Sequence, residues 1–247
     1  GINFSRIGQY DQAVKYLSAA RARDPRNLKC AGELTTALLQ SGQPEKARTV
    51  LLDIVDKMPT EASAWDQLGI AYAQLGDMED ALTAGRCAVE QKPAVSSYRK
   101  NLGVTLLHGG HPEEAEEQFR AALQNEADKQ NRDLQYHLAL SLLAQQKLDE
   151  AQDVLTRLLL TQPEDQACHA RLMEVHYRAG RMEDVLAMEP DFPRAQYLKD
   201  PVASFYLGQA HLAKGHKATA VEYLSASVKG MPGFQPARKA LEQAERL

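Results

Sequence analysis

The chain lacks most of the features that announce a function. No apolar run reaches the roughly 18 residues that a membrane span requires. The opening GINFSRIGQY does not have the basic, apolar and small-residue layout of a secretory leader. Cysteine is scarce: Cys30, Cys87 and Cys168 lie far apart, and no CxxC occurs. An odd number excludes a complete internal disulfide framework. These three read as small residues half-buried between helices, compatible with a reducing compartment. There is no run of Lys or Arg, and the formal net charge is −4, which argues against nucleic acid as the main partner. Charged residues at 25% and hydrophobic residues at 44% are those of an ordinary folded chain, neither disordered nor fibrous.

Signatures of chemistry are equally absent. There is no HExxH, no Cys/His cluster and no EF-hand loop, so no metal site is expected. There is no GxSxG and no glycine-lysine phosphate loop. Gly109-Gly110, within HGGHP, reads as a turn between helices, because no Lys-Ser/Thr follows. Carboxylate pairs such as Glu113-Glu114 open a helix, where acidic residues favour the N-terminus electrostatically. His169 and His176 share one helical face and read as polar-edged core residues, and His211 takes the place of His176 one repeat later. His111 and His216 fall in equivalent turns. The expectation is a non-catalytic chain without a cofactor.

What the chain does have is period. The stretch WDQLGIAYAQLGDMEDALTAGRCAVEQKP, from Trp65 to Pro93, sets Trp65, Leu68, Gly69 and Tyr72 at i, i+3, i+4 and i+7, one apolar helical stripe. A turn at Leu75-Gly76-Asp77 follows, then Ala81, Gly85 and Ala88 on a second helical period, then Pro93. Gly69 inside a helix costs on the order of 1 kcal/mol against Ala, tolerable where a neighbouring helix needs the space. A single helix pair cannot bury both faces, so copies must stack.

This order resembles the tetratricopeptide repeat, a helix–turn–helix unit of roughly 34 residues. It departs from the family pattern at Gly85, where the family usually has an aromatic residue or Leu. The resemblance implies an all-α solenoid, a right-handed superhelix of about seven repeats with a C-terminal capping helix. The frame divides one continuous array into 1–27, 28–61, 62–95, 96–131, 132–165, an irregular 166–200, and 201–233, with the cap at 234–247. Residues 125–133 exceed the period and read as an extended helix or a slack connector. The fifth turn, Gln145-Gln146-Lys147, lacks the usual glycine. In the sixth repeat Val185 replaces a small alanine. Pro190 and Pro193 forbid a continuous second helix there. A short helix to about Met188, a break and a turn at Arg194–Leu198 are expected, with Phe192 or Tyr197 exposed as an outer contact. The first repeat begins midway through its first helix, so native sequence upstream is expected, with room for a signal or lipid anchor. These residues do not choose between cytoplasm and periplasm.

In proteins that resemble this one, first helices line a concave groove. The groove-facing stripe is small, polar or acidic at first, through Thr36, Gln40, Asp66 and Gln74. It then becomes basic and aromatic through Lys100, Asn101, His108, Tyr136, His137, Arg171, Tyr177, Arg178, Phe205 and Tyr206. Arg and Tyr are enriched at binding hot spots, and Arg suits capture of a carboxylate. The resemblance therefore implies a protein or peptide ligand, acidic or with a free carboxy terminus, near Lys100–Arg178. Similar repeat domains grip the acidic tail of heat-shock chaperones with a Lys/Asn, Asn, Lys/Arg pattern. Here only Lys100 and Arg171 fit, because Val104, His137 and Ala167 occupy the other places. An assembly factor for an envelope, pilus or secretion machine, and a self-assembling homo-oligomer, are the competing readings.

Overall fold

The computed structural model describes all residues except positions 126, 192 and 247, and the described residues contain helices and no strand. In chain order the helices are α1 (Ile2–Arg6), α2 (Tyr10–Arg23), α3 (Leu28–Gln40), α4 (Pro44–Lys57), α5 (Ala62–Leu75), α6 (Met78–Gln91), α7 (Ser96–His108) and α8 (Pro112–Leu123). They continue with α9 (Arg132–Ala144), α10 (Leu148–Thr161), α11 (Gln166–Arg178), α12 (Met182–Ala187), a single 3-10 turn (Glu189–Asp191), α13 (Arg194–Tyr197), α14 (Pro201–Ala213), α15 (Lys217–Gly230) and α16 (Gln235–Arg246). The chain forms two compact bodies, Gly1–His137 and Leu138–Leu247.

Two devices alternate along the backbone. Several first helices begin on a side-chain cap, which satisfies an otherwise orphaned N–H. Asn27 accepts from the Cys30 amide at 3.0 Å, Asp165 from the Cys168 amide at 3.1 Å, and Asp200 from the Val202 amide at 2.9 Å. Second helices instead follow a tight left-handed turn. The residue after the turn returns its amide to the preceding helix, as in Asp77 N to Tyr72 O at 3.0 Å and His216 N to His211 O at 2.9 Å. That geometry needs positive φ. Glycine supplies it at Gly8, Gly42, Gly76, Gly110, Gly180 and Gly215, whereas Gln146 carries φ 62° in the fifth turn.

In the N-terminal body the core is built from Leu34, Leu38, Leu51 and Leu68, with Trp65 and Tyr72 packed against it. The Trp65 indole donates to the Pro59 carbonyl at 2.8 Å, tying the first turn of α5 to the turn before it. Gly69 lies against α6, as its helical position demands: a Cβ there would stand 3.1 Å from the Ala81 carbonyl oxygen. After α8 ends at Leu123, the described residues of the polar segment before α9 run in turns, the second of the two sequence expectations. Asn131 ends it by accepting from the Leu134 amide at 3.2 Å.

In the C-terminal body the core gathers Met173, Val185, Leu207, Tyr223 and Leu224, and α16 covers its end with Ala237, Ala240 and Ala244. The sixth repeat breaks where the prolines require. Its aromatic residue behaves differently from the sequence expectation: Tyr197 is 3% exposed, not an outer contact. Past the end of α12 the Met188 carbonyl accepts from the Asp191 amide of the 3-10 turn at 3.2 Å. Tyr197 turns inward and donates to the same carbonyl at 2.6 Å. Phe192 lies outside the described residues. Glu189, in the 3-10 turn, accepts from Tyr223 Oη at 2.6 Å and meets His211 Nε2 at 3.0 Å, so one carboxylate holds the irregular segment against α14 and α15.

The histidines read from sequence as polar-edged core are buried. His169 is 7% exposed and bonds through Nε2 to the Pro163 carbonyl at 2.8 Å. His211 stacks on the Tyr223 ring with centroids 5.7 Å apart. Among the described residues, no group of three or more His, Cys, Asp or Glu side chains is placed to hold a metal ion. No helix among them is long and apolar enough to cross a membrane.

Candidate functional site

The ten stripe residues expected to face a ligand fall into both bodies, with different surroundings. In the N-terminal body the cations are already matched. Lys100 Nζ lies 2.8 Å from Asp133 Oδ2. That contact holds the Asp133 carboxyl below its ordinary range, with lesser help from His137 and Arg132. His137 donates through Nδ1 to the Asp133 carbonyl at 2.8 Å and packs its ring 5.7 Å from that of Phe119. Tyr136 sits edge-on to His137 and under the Arg132 guanidinium, 5.9 Å from the ring centre. His108 is exposed at the end of α7.

Asn101 reaches back one repeat and donates to both oxygens of Asp66, at 3.0 and 3.2 Å. Asp66 is pushed up to about 6, chiefly by burial, against the opposing pull of the Asn101 hydrogen bond and of Lys100. A carboxylic acid so poised loses part of its charge in mildly acid conditions. A hollow in this body, about 470 Å³, is lined by Lys29, Glu33, Thr36, Glu61, Ser63 and Gln67 over a floor that includes Leu51. It has no aromatic wall.

In the C-terminal body the other five stripe residues converge. Arg171, Tyr177, Arg178, Phe205 and Tyr206 line a single cavity of about 590 Å³ on the exposed side of α11 and α14. This lies within the range of about 300–1,000 Å³ seen for ligand pockets. Their positions follow from helical spacing: Arg171 and Arg178 are two turns apart on α11, and Phe205 with Tyr206 begins the second turn of α14. The rings pack on one another. Tyr177 is 5.3 Å from Tyr206, Phe205 is 5.1 Å from Tyr206, and Phe205 meets Phe234 edge-on at 5.0 Å. Phe205 and Tyr206 are buried and form the floor, so they shape the cavity more than they project from it.

The sequence reading missed Glu174. This residue is 4% exposed, yet its carboxylate meets Arg171 Nη1 at 2.7 Å and Arg178 Nη2 at 2.5 Å. Burial, with the Glu174 charge beside it, pushes the Tyr206 hydroxyl far up. Arg178 further donates to the Leu143 carbonyl at 3.0 Å. The signal was present: Glu174 stands three residues after Arg171 and four before Arg178, the spacing at which helical side chains meet. Gln209, Met231 and Phe234 also line the cavity. The last two come from the turn before α16, which the stripe of first helices could not reveal.

Comparison with known proteins fixes the family. One tetratricopeptide-repeat model matches residues 8–71 and 106–174, and a second matches 67–132. The chain belongs to the tetratricopeptide repeat family. Its helix pairs, its left-handed inter-helix turns and its small residues at helix contacts are those of that helical solenoid fold. Solved tetratricopeptide structures are similar over nearly the full length. A Parabacteroides merdae repeat protein has TM-score 0.71 at 16% identity, covering 98% of this chain and 95% of its own. PilW, a widely conserved type IV pilus biogenesis factor, has TM-score 0.73 at 18% identity, covering 86% and 97%. Pseudomonas aeruginosa PilF has TM-score 0.67 at 16% identity, covering 96% and 99%. At these identities the likeness shows the fold alone. No curated protein matches the chain.

Proposed function

We propose that this chain is a non-catalytic interaction scaffold that holds a segment of another protein against its first helices, with the cavity on α11 and α14 as the principal anchor. The observation that carries the reading is the convergence of Tyr177, Phe205, Tyr206 and Phe234 around one hollow with two arginines at its rim. Aromatic and Arg side chains concentrate binding energy when they line a partly desolvated pocket. The N-terminal stripe, with Lys100 matched to Asp133 and Asn101 to Asp66, offers no comparable anchor. The test is affinity capture with the purified chain followed by mass spectrometry, repeated with Tyr177→Ala and Phe234→Ala. Partners lost in both variants, with helicity unchanged, support the site. Partners retained equally by both place binding elsewhere.

A second reading is an assembly factor for an envelope machine such as a pilus. It is favoured by the similarity to PilW, itself a type IV pilus biogenesis factor. If it holds, the captured partners are pilus or secretion components. A capture set without any such component removes it.

A further inference from the structure

The left-handed turn between paired helices does more than reverse the chain. The residue after it donates its amide to a carbonyl five residues back, which sets those two residues side by side. In most repeats at least one of the two places has no ring nitrogen, as in Tyr72 with Asp77 or Leu106 with His111. The turn between α14 and α15 is the one with histidine in both: the His216 amide donates to the His211 carbonyl at 2.9 Å. Their side chains meet as well. His211 Nδ1 and His216 Nδ1 lie 3.2 Å apart.

The His211 ring is held in place. Its Nε2 lies 3.0 Å from Glu189 Oε2, the other Glu189 oxygen accepts from Tyr223 Oη at 2.6 Å, and the ring stacks on that of Tyr223. A carboxylate only accepts, so His211 carries its proton on Nε2 and turns the lone pair of Nδ1 towards His216. A carboxylate behind an imidazole in this way orients the ring and strengthens it as a metal ligand. Two nitrogens bound about 2.0–2.1 Å from one ion stand about 2.8–3.4 Å apart at square or tetrahedral angles. The observed separation falls in that interval. His216 is exposed, which leaves the far side of the pair open to water.

We propose that His211 Nδ1 and His216 Nδ1 together bind one divalent late first-row metal ion, with water in its remaining positions. Imidazole nitrogen suits copper, nickel and zinc, and copper binds tightest in that series. Two protein ligands are one fewer than a catalytic zinc site uses, and no third His, Cys, Asp or Glu joins them among the described residues. In the metal-free chain the His216 Nδ1–H donates to the His211 lone pair. The ion takes the place of that proton, which passes through water to the exposed Nε2 of His216, so both imidazoles stay neutral. Once bound, the ion clamps the end of α14 to the start of α15. Through Glu189 it also steadies the 3-10 turn of the broken sixth repeat.

The experiment adds Cu²⁺, Ni²⁺ or Zn²⁺ as chloride to the untagged full chain and follows binding by calorimetry and stability by thermal unfolding. The expected result is an ion whose binding depends on His216 and raises the unfolding midpoint, with Cu²⁺ tightest. His216→Ala, which alters an exposed ring, should weaken binding about tenfold or more and abolish the midpoint shift. Glu189→Gln should weaken it about tenfold. Unchanged affinity in either variant overturns the site. So does the absence of binding up to roughly 1 mM ion, or a loss seen instead in the His108→Ala/His111→Ala chain. Should His216→Ala fail to melt cooperatively, imidazole nitrogen resonances of the unaltered chain decide. Zn²⁺-induced shifts at both His211 Nδ1 and His216 Nδ1 support the pair, and shifts confined to other histidines overturn it.

Discussion

Gly69 backs directly onto Gly85: a methyl group on Gly69 would stand 3.3 Å from the Gly85 amide nitrogen and 3.1 Å from the Ala81 carbonyl oxygen. Both obstacles are main chain, which cannot rotate aside. Replacing a helical glycine by alanine ordinarily gains about 1 kcal/mol, and here the crowding should reverse the sign. Gly69→Ala is expected to lower stability by about 1 kcal/mol or more. Gly32, inside α3, has nothing within 4 Å of its would-be Cβ, so Gly32→Ala should raise stability by roughly 0.5–1 kcal/mol. Urea titrations of the two variants measure both, and equal shifts would refute the packing account.

Gln146 is the one described non-glycine residue with positive φ, at a position where the other inter-helix turns use glycine. A side chain in the left-handed region carries a cost of about 1–2 kcal/mol. Part of the relief on substitution is lost to the greater freedom of glycine in the unfolded chain. Gln146→Gly should therefore stabilise the C-terminal body by about 1 kcal/mol, seen as a higher midpoint in thermal or urea unfolding. An unchanged or lower midpoint would show that Gln146 makes a compensating contact.

Asp66 predicts an acid-side dependence of unusual sign. Its folded-state value near 6 lies above the ordinary carboxylate range, so the folded chain binds a proton that the unfolded chain has released. Stability from this group is greatest below about pH 4 and declines as pH rises towards 6. Asp66→Asn keeps an oxygen for Asn101 and removes the titration. It should flatten the profile between those values and raise stability at neutral pH by roughly 1–2 kcal/mol. A parallel offset with no change in slope would rule the charge out as the cause.

The inward turn of Tyr197 predicts that the broken sixth repeat is firm. Its hydroxyl donates to the Met188 carbonyl at 2.6 Å, and its carbonyl accepts from Ser204 Oγ at 2.7 Å. Tyr197→Phe leaves the Met188 carbonyl with the Asp191 amide alone, 3.2 Å away, and should cost about 0.5–1.5 kcal/mol. Hydrogen exchange should then rise around Met188 first. Amides around Tyr197 that exchange as fast as a free loop in the unaltered chain would argue for a hinge at this break.

Much of this architecture is legible in the sequence, because apolar period and turn glycines act locally. Trp65, Leu68, Gly69 and Tyr72 announce a helix, and Gly76 announces its end. The break at Pro190 and Pro193 is legible for the same reason: proline acts on its own backbone. The inward turn of Tyr197 is not, since it answers a carbonyl nine residues away. The stripe that named Arg171, Tyr177, Arg178, Phe205 and Tyr206 brought together side chains that do line one cavity. It passed over Glu174, because a buried acid looks like any surface helix residue until its two arginines are seen to enclose it. Phe234 escaped because it belongs to the turn before the last helix.

Trp65 is the only tryptophan in the chain, and it belongs to the N-terminal body. Light absorbed at the red edge of the aromatic band is therefore emitted from one side of the molecule alone. Melting followed by that emission watches residues 1–137 and is blind to the Tyr177–Tyr206 cluster, whereas backbone ellipticity averages over everything. If the two signals trace the same curve, the bodies come apart in one cooperative step. If they separate, the gap between them gauges how independently each holds its shape.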